Sequence, residues 1–300
     1  MEKFLDALMS FAGPERVKLD QPMDRYTTFR IGGPADVMFF PETPQEILVA
    51  QALATESGVP VTVIGCGSNL LVSDAGIRGL VIALGKPFSR IEVRGNAIFA
   101  QAGARLSAVA NAALAHGLTG LEFASGIPGS VGGGAYMNAG AYGGQLSDVL
   151  TEVELLRDGM AVRVPASEMD FGYRHSAAME SGALITGATF ALQPGDPAEI
   201  RARMDDLNGR RRDKQPLEYP SAGSTFKRPE GYFAGALIEQ AGLKGCRIGG
   251  AMVSEKHAGF IVNAGNATAQ DVFELIMRVQ HTVLDRSGVW LEPEVRLIGE

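Results

Sequence analysis

Cysteine is nearly missing from this chain: two residues in 300, Cys66 and Cys246, 180 positions apart. That excludes a disulfide framework and a CxxC metal site, and points to a reducing, cytoplasmic setting. An excess of positive charge is also missing. Lys and Arg number 27 against 34 Asp and Glu, a net charge of −7, which argues against a nucleic-acid-coating surface. No apolar run approaches the ~18 residues needed to cross a bilayer. The opening segment, MEKFLDALMSFAGPERVKLD, has acidic residues where a secretory signal has a basic start and a long apolar core. The chain is therefore expected to be soluble, neither inserted in a membrane nor bound to nucleic acid. His116, His175, His257 and His281 show no metal-ligand spacing, so no metal site is expected.

What is present is apolar residue and glycine. At 46% hydrophobic and 20% charged, the chain buries a sizeable core, and its length suggests two domains. The 38 glycines are about twice the ordinary share and are clustered, not periodic. Between the clusters, Thr43-Pro44-Gln45-Glu46 reads as a capping box opening a helix that ends near Gly58. Asp196 to Glu199 repeats the device ahead of Ile200, Met204 and Leu207. Thr268 to Asp271 opens a third helix, with Val272, Leu275, Ile276, Val279 and Val283 on one face. Gly242 and Gly288 read as helix stops.

Strands are expected at Val61–Ile64, Leu80–Leu84 and Ala183–Leu192. Hairpins are expected around Gly95-Asn96 and Asp158-Gly159. Hairpins mixed with helices indicate α+β layers, and Gln193–Pro197 reads as the best break between domains.

The first glycine cluster, Gly65-Cys66-Gly67-Ser68-Asn69-Leu70, follows a strand directly. Such a loop brings backbone N–H groups close to a phosphate, or is simply a glycine turn. It is not a Rossmann fingerprint, since Leu70 occupies the third glycine position and no helix follows. Cys66 in it reads as a small buried side chain. The second cluster, Gly126 to Gly143, reads GIPGSVGGGAYMNAGAYG. A flexible linker is the alternative, but Ile127, Pro128, Val131, Tyr136, Met137 and Tyr142 are too apolar for one. Two such loops suggest one dinucleotide held from two sides.

Eight segments in order carry a resemblance: YTTFRIGG (26–33), GCGSNLL (65–71), GIPGSVGG with NAGAYG, FGYRHS (171–176), AGSTFKRP (222–229), GLKG (242–245), HAGFIVN (257–263) and LEPEVR (291–296). Together they resemble the UDP-N-acetylenolpyruvoylglucosamine reductase (MurB) family from about residue 20 to the C-terminus. The resemblance implies a vanillyl-alcohol-oxidase/PCMH-like FAD-binding fold of two α/β subdomains, split near 85–90, over residues 1–193. It implies a C-terminal α+β substrate-binding domain over 194–300. FAD would be held non-covalently by Gly65, Cys66, Gly67, Ser68, Asn69 and Leu70, and by Gly126, Ile127, Pro128, Gly129, Ser130, Val131, Gly132 and Gly133. NADPH would be the co-substrate. The implied reaction turns UDP-N-acetylglucosamine enolpyruvate into UDP-N-acetylmuramate for peptidoglycan precursor synthesis.

By its place in AGSTFKRP, Ser224 matches the family's proton donor; on residue type alone a turn serine is equally open. Arg174 and Glu294 match the catalytic arginine and glutamate, with a structural ion pair as the alternative. Glu294 is chosen over Glu292 because it precedes Val-Arg. Tyr173, Lys214 and Arg228 are the implied substrate contacts, although Lys214 also suits a basic helix C-terminus. The neighbouring arginines 210–212 are read as that basic helix end. No insertion between Gly187 and Asp196 supplies the tyrosine-bearing loop of some members, which places the chain in the type II subgroup. Rival readings are another FAD oxidoreductase of the same fold and a non-catalytic nucleotide-sugar sensor. The oligomeric state is open.

Overall fold

Capping chemistry sets the helix boundaries in a computed structural model that describes residues 1–299. The eight helices are α1 (Glu2–Ala12), α2 (Pro44–Glu56), α3 (Leu106–Ala115), α4 (Val131–Tyr136), α5 (Ala178–Ser181), α6 (Pro197–Lys214), α7 (Ala234–Gln240) and α8 (Ala269–Ser287). At α8 the box is reciprocal: Thr268 Oγ1 accepts from Asp271 N–H at 3.0 Å and Asp271 accepts from Thr268 N–H at 3.0 Å. The helix stops at Gly288, where φ is +71°. At α2 only half of the expected box forms. Thr43 accepts from Glu46 N–H, but the Glu46 carboxylate accepts from Glu42 N–H at 2.7 Å and pairs with Arg16 at 2.8 Å. The Arg16 guanidinium draws the carboxylate one residue beyond the N-cap.

The main strands are β1 (Val17–Pro22), β2 (Pro34–Phe39), β3 (Val61–Ile64), β4 (Leu70–Val72), β5 (Ile77–Ala83), β6 (Ile91–Arg94) and β7 (Ala97–Gln101). They continue with β8 (Leu150–Arg157), β9 (Met160–Pro165), β10 (Leu184–Ala191), β11 (Arg247–Ile248), β12 (Ala251–Val253), β13 (Ile261–Asn263) and β14 (Arg296–Ile298). Both expected hairpins form. Arg94 pairs with Ala97 across Gly95-Asn96, and Arg157 with Met160 across Asp158-Gly159. Asp158 and Gly159 both have positive φ, as a two-residue type I′ turn requires.

The chain forms two compact units, each discontinuous in sequence. The first comprises Met1–Lys18, Met38–Cys66 and Leu80–Arg211; the second comprises Leu19–Val37, Gly67–Gly79 and the chain from Arg212 onward. In the first, an antiparallel sheet of order β9-β8-β10-β7-β6 buries Ile98, Val153 and Phe190 with Leu106 and Val109 of α3. Residues of β3 and β5 pair in parallel, Val61 with Leu80 through Ile64 with Ala83, in a sheet of order β1-β2-β5-β3. Of the Gln193–Pro197 break, Gln193-Pro194 forms a short edge strand against Leu118-Thr119, a position that tolerates proline.

In the second unit β11-β12-β13 run antiparallel and β14 pairs with β4 in parallel. Its core joins Val272, Leu275 and Val279 of α8 to Ile238 of α7, Phe226 and Leu291. Among the described residues no helix is long and apolar enough to cross a membrane.

The N–H groups of Thr268 and Gly250 hold the Asp271 carboxyl below the ordinary aspartate range. A depressed folded-state pKa stabilises above the unfolded value and fades as pH falls through the folded one. Asp271→Asn is therefore expected to cost about 1 kcal/mol at pH 7, the size of a cap, with the gap closing below about pH 4. Urea midpoints of both forms across pH check this; a gap that does not vary with pH contradicts it.

Candidate functional site

The first glycine cluster leaves β3 at Gly65, where a Cβ would stand 2.3 Å from Ser130 Oγ. Only glycine lets the two glycine clusters approach this closely within the first unit. Ser130 is buried and caps α4, accepting from Gly133 N–H at 3.4 Å. Burial pushes the Cys66 thiol up, against the opposing pull of Arg105 and a hydrogen bond with Ser130, so it is a neutral packing group.

The cluster's remainder lies in the second unit. Gly67 has φ +62°, and a Cβ there would stand 2.1 Å from the Tyr26 carbonyl. Among the described residues, the N–H groups of Gly67, Ser68 and Asn69 meet no acceptor. Three successive unspent donors form an anion-binding nest. Strand β4 follows, not a helix.

The second cluster is helix and core. Val131, Gly132 and Ala135 are buried. Its donors are fewer than the glycine count suggests, because Val131 N–H binds Ala104 O at 2.8 Å and Gly132 N–H binds Ala102 O at 2.9 Å. Gly129 and Ser130 keep theirs. Farther along, buried Asn138 donates to Gly172 O at 3.0 Å and accepts from Ser147 N–H at 3.0 Å. Ser176 Oγ donates to Tyr136 O at 2.7 Å.

These bonds pin NAGAYG to FGYRHS, whose Gly172 and His175 close a tight turn. Arg174 sits in that turn at φ +56°, a left-handed conformation that non-glycine residues adopt at a cost. Its guanidinium lies 5.1 Å from the centroid of the exposed Tyr173 ring.

In the second unit the backbone brings Ser224 and Glu294 onto neighbouring segments. Glu294 N–H donates to Thr225 O at 2.8 Å, Lys227 N–H donates to Glu292 O at 2.8 Å, and Phe226 bridges to Pro293. Asn69 fastens the same segment, donating to Glu294 O at 3.0 Å and accepting from Arg296 N–H at 3.0 Å. Thr225 is buried, with its hydroxyl accepting from Ile261 N–H at 2.9 Å. Ser224 is exposed, and its hydroxyl meets no partner among the described residues. Glu292 is exposed and pairs with Lys227, whereas Glu294 is half-buried. Lys214 is exposed at the last position of α6, and Arg228 stacks on Phe233.

The three arginines at the end of α6 differ in their surroundings. Arg210 pairs with Asp206 at 2.9 Å and Arg212 is exposed. Arg211 is half-buried, packs its Cδ against Gly126, and meets no carboxylate or hydrogen-bond acceptor among the described residues. Burial pulls its pKa down, yet a guanidinium stays charged. The sequence did carry the signal: Ile200, Met204, Leu207 and Arg211 fall on one helical stripe. A half-buried guanidinium with no carboxylate beside it is suited to an anionic or hydrogen-bonding ligand.

Comparison with known proteins agrees with these features. An FAD-binding domain model matches residues 35–164, and the C-terminal domain model of UDP-N-acetylenolpyruvoylglucosamine reductase matches 215–298. The reductase of that name from Pediococcus pentosaceus is 52% identical over 298 residues, covering 99% of both chains. That from Agathobacter rectalis is 55% identical over 295 residues, covering 94% of this chain and 93% of its own. The crystal structure of the Thermus caldophilus reductase superposes with a TM-score of 0.81 at 39% identity, covering 94% of this chain and 97% of that one. An alkyldihydroxyacetonephosphate synthase shares the fold alone, at TM-score 0.50 and 15% identity over 65% of this chain and 40% of that one.

Fold and site together define an FAD-dependent oxidoreductase of α+β architecture with the PCMH-like flavin-binding fold. Within that class, the chain belongs to the UDP-N-acetylenolpyruvoylglucosamine reductase (MurB) family.

The residues present suit FAD. Taken separately, each unit carries donors suited to a dinucleotide's acceptors: the Gly129 and Ser130 N–H groups and the Arg211 guanidinium in the first, and the Gly67–Asn69 N–H groups in the second. Arg211→Met keeps the side-chain bulk and removes the charge. It is expected to weaken FAD binding by about 10- to 100-fold, the value of a charge-assisted hydrogen bond. Titration of the flavin-stripped protein with FAD measures this; an unchanged affinity would leave Arg211 purely structural.

Proposed function

We propose that the protein catalyses the NADPH-dependent reduction of UDP-N-acetylglucosamine enolpyruvate to UDP-N-acetylmuramate, a cytoplasmic step of peptidoglycan precursor synthesis. Family membership supports the reaction. The observation that carries the chemistry is the Thr225–Glu294 hydrogen bond, which holds a hydroxyl without a protein partner and a half-buried carboxyl on adjoining segments.

On this reading, most FAD contacts come from residues 1–193 and most substrate contacts from 194–300. When bound, FAD would supply the two-electron chemistry that links oxidation of NADPH to hydride delivery at C3 of the enolpyruvyl group. The Ser224 hydroxyl gives its proton to C2. A serine is a poor acid in water and Ser224 is exposed in the free chain, so this step requires the bound substrate to cover the hydroxyl and present a strongly basic carbanionic partner. The Arg174 fork binds the substrate carboxylate and stabilises the negative charge that builds on it. The turn held by Asn138 presents that guanidinium in a fixed direction, so the strain at Arg174 serves positioning. Glu294 orients the reacting group or relays the proton. Tyr173, Lys214 and Arg228 contact substrate, with Lys214 serving the diphosphate.

Ser224→Ala is expected to keep reduction of the flavin by NADPH while slowing its reoxidation by substrate about 10²–10⁴-fold. Single-turnover absorbance resolves the two phases, and wild-type reoxidation would remove Ser224 from the role. Arg174→Lys retains charge but loses the fork, and a drop in kcat of at least about 10²-fold is expected. Near-normal turnover would make the arginine structural.

A further inference from the structure

Phe233 is 62% exposed, the highest value among the large hydrophobic side chains of the chain. Helix α7, which it precedes, buries Ala234, Leu237 and Ile238 without it. The ring is nonetheless fixed in place. Tyr232 N–H donates to Pro229 O at 3.1 Å, and Gly231 at φ +75° occupies the third position of that turn, where a type II turn needs glycine. The reversal lays the Phe233 ring beneath Arg228, with the guanidinium carbon 4.0 Å from the ring centroid. Arg228 Nε donates to Tyr232 O at 3.4 Å, and Tyr232 is itself 48% exposed. The segment R-P-E-G-Y-F thus stacks two planar groups and leaves the Phe233 ring exposed.

We propose that Phe233, braced by Arg228, is the stacking platform for the uracil base of the nucleotide-sugar substrate. The proposal rests on the nucleotide-sugar reading above. An exposed aromatic face suits any planar base, and a guanidinium stacked on it adds a cationic edge for a carbonyl-bearing ring. The position is suitable as well. Arg228 follows Ser224 by four positions, at most ~14 Å of extended chain, a span that a sugar, diphosphate and ribose can cover. The platform would do the work of the tyrosine-bearing loop for which this chain has no insertion.

The test is equilibrium binding of UDP to the FAD-loaded protein, followed by calorimetry, for wild type, Phe233→Ala, Phe233→Leu and Phe233→Tyr. Inorganic diphosphate is titrated in parallel. Losing one base–aromatic stack is expected to weaken UDP about 5- to 100-fold in the Ala and Leu forms. The Tyr form should bind within about 3-fold of wild type, and diphosphate affinity should be equal in all four.

UDP affinity undiminished in Phe233→Ala overturns the platform. Full affinity in Phe233→Leu overturns it too, since apolar contact without a π face would then suffice. An equal loss of UDP and diphosphate affinity in Phe233→Ala would place the effect elsewhere than on the base. Wild-type protein that holds FAD but takes up no UDP would overturn the nucleotide-sugar reading itself, and the platform with it.

Discussion

The proposed chemistry of the second unit rests on one backbone hydrogen bond, from Glu294 N–H to Thr225 O at 2.8 Å. It fixes the spacing between a serine and a carboxyl that are 70 residues apart in sequence. Its neighbours over-determine it. Thr225 is held by Gly259 O and Ile261 N–H, and the Glu294 carbonyl is held by Asn69. Four segments from distant parts of the chain therefore fix the backbone on which Ser224 and Glu294 sit. Such redundancy matters because a misplacement of about 1 Å costs on the order of 10²-fold in rate.

The first unit solves a similar problem by different means. There a long cation is aimed from a left-handed turn that would relax if it were not clamped. Asn138 and Ser176 provide the clamp between the glycine-rich stretch and the turn that carries Arg174; on the proposed reading the same stretch also leaves room for the cofactor. The small residues are restrictive. Gly65 is kept small by Ser130, and Gly67 by the Tyr26 carbonyl.

Much of the fold was legible because its signals are local. Thr268 with Asp271, Gly288 and Asp158-Gly159 each encode a boundary through a bond or dihedral a few residues long. The half-formed box at Thr43 shows the limit, since Arg16, 30 residues away, captures Glu46. The two glycine loops were legible as clusters, but not the division of their donors: whether Val131 and Gly132 N–H groups are free depends on Ala102 and Ala104 arriving opposite them. The partial burial of Arg211 is not encoded in its charge but in its spacing, since it continues the Ile200, Met204, Leu207 stripe of α6. The discontinuity of the units was not legible either, as β1, β2 and β5 each carry the chain from one unit to the other with no change in composition.

The most direct measurement is the visible spectrum of the purified wild-type protein under anaerobic conditions, first with NADPH and then with UDP-N-acetylglucosamine enolpyruvate. A yellow protein should bleach on the first addition and recover its colour only on the second. Bleaching with no recovery would contradict the proposed substrate, and a colourless protein that takes up no FAD would contradict the cofactor site as well.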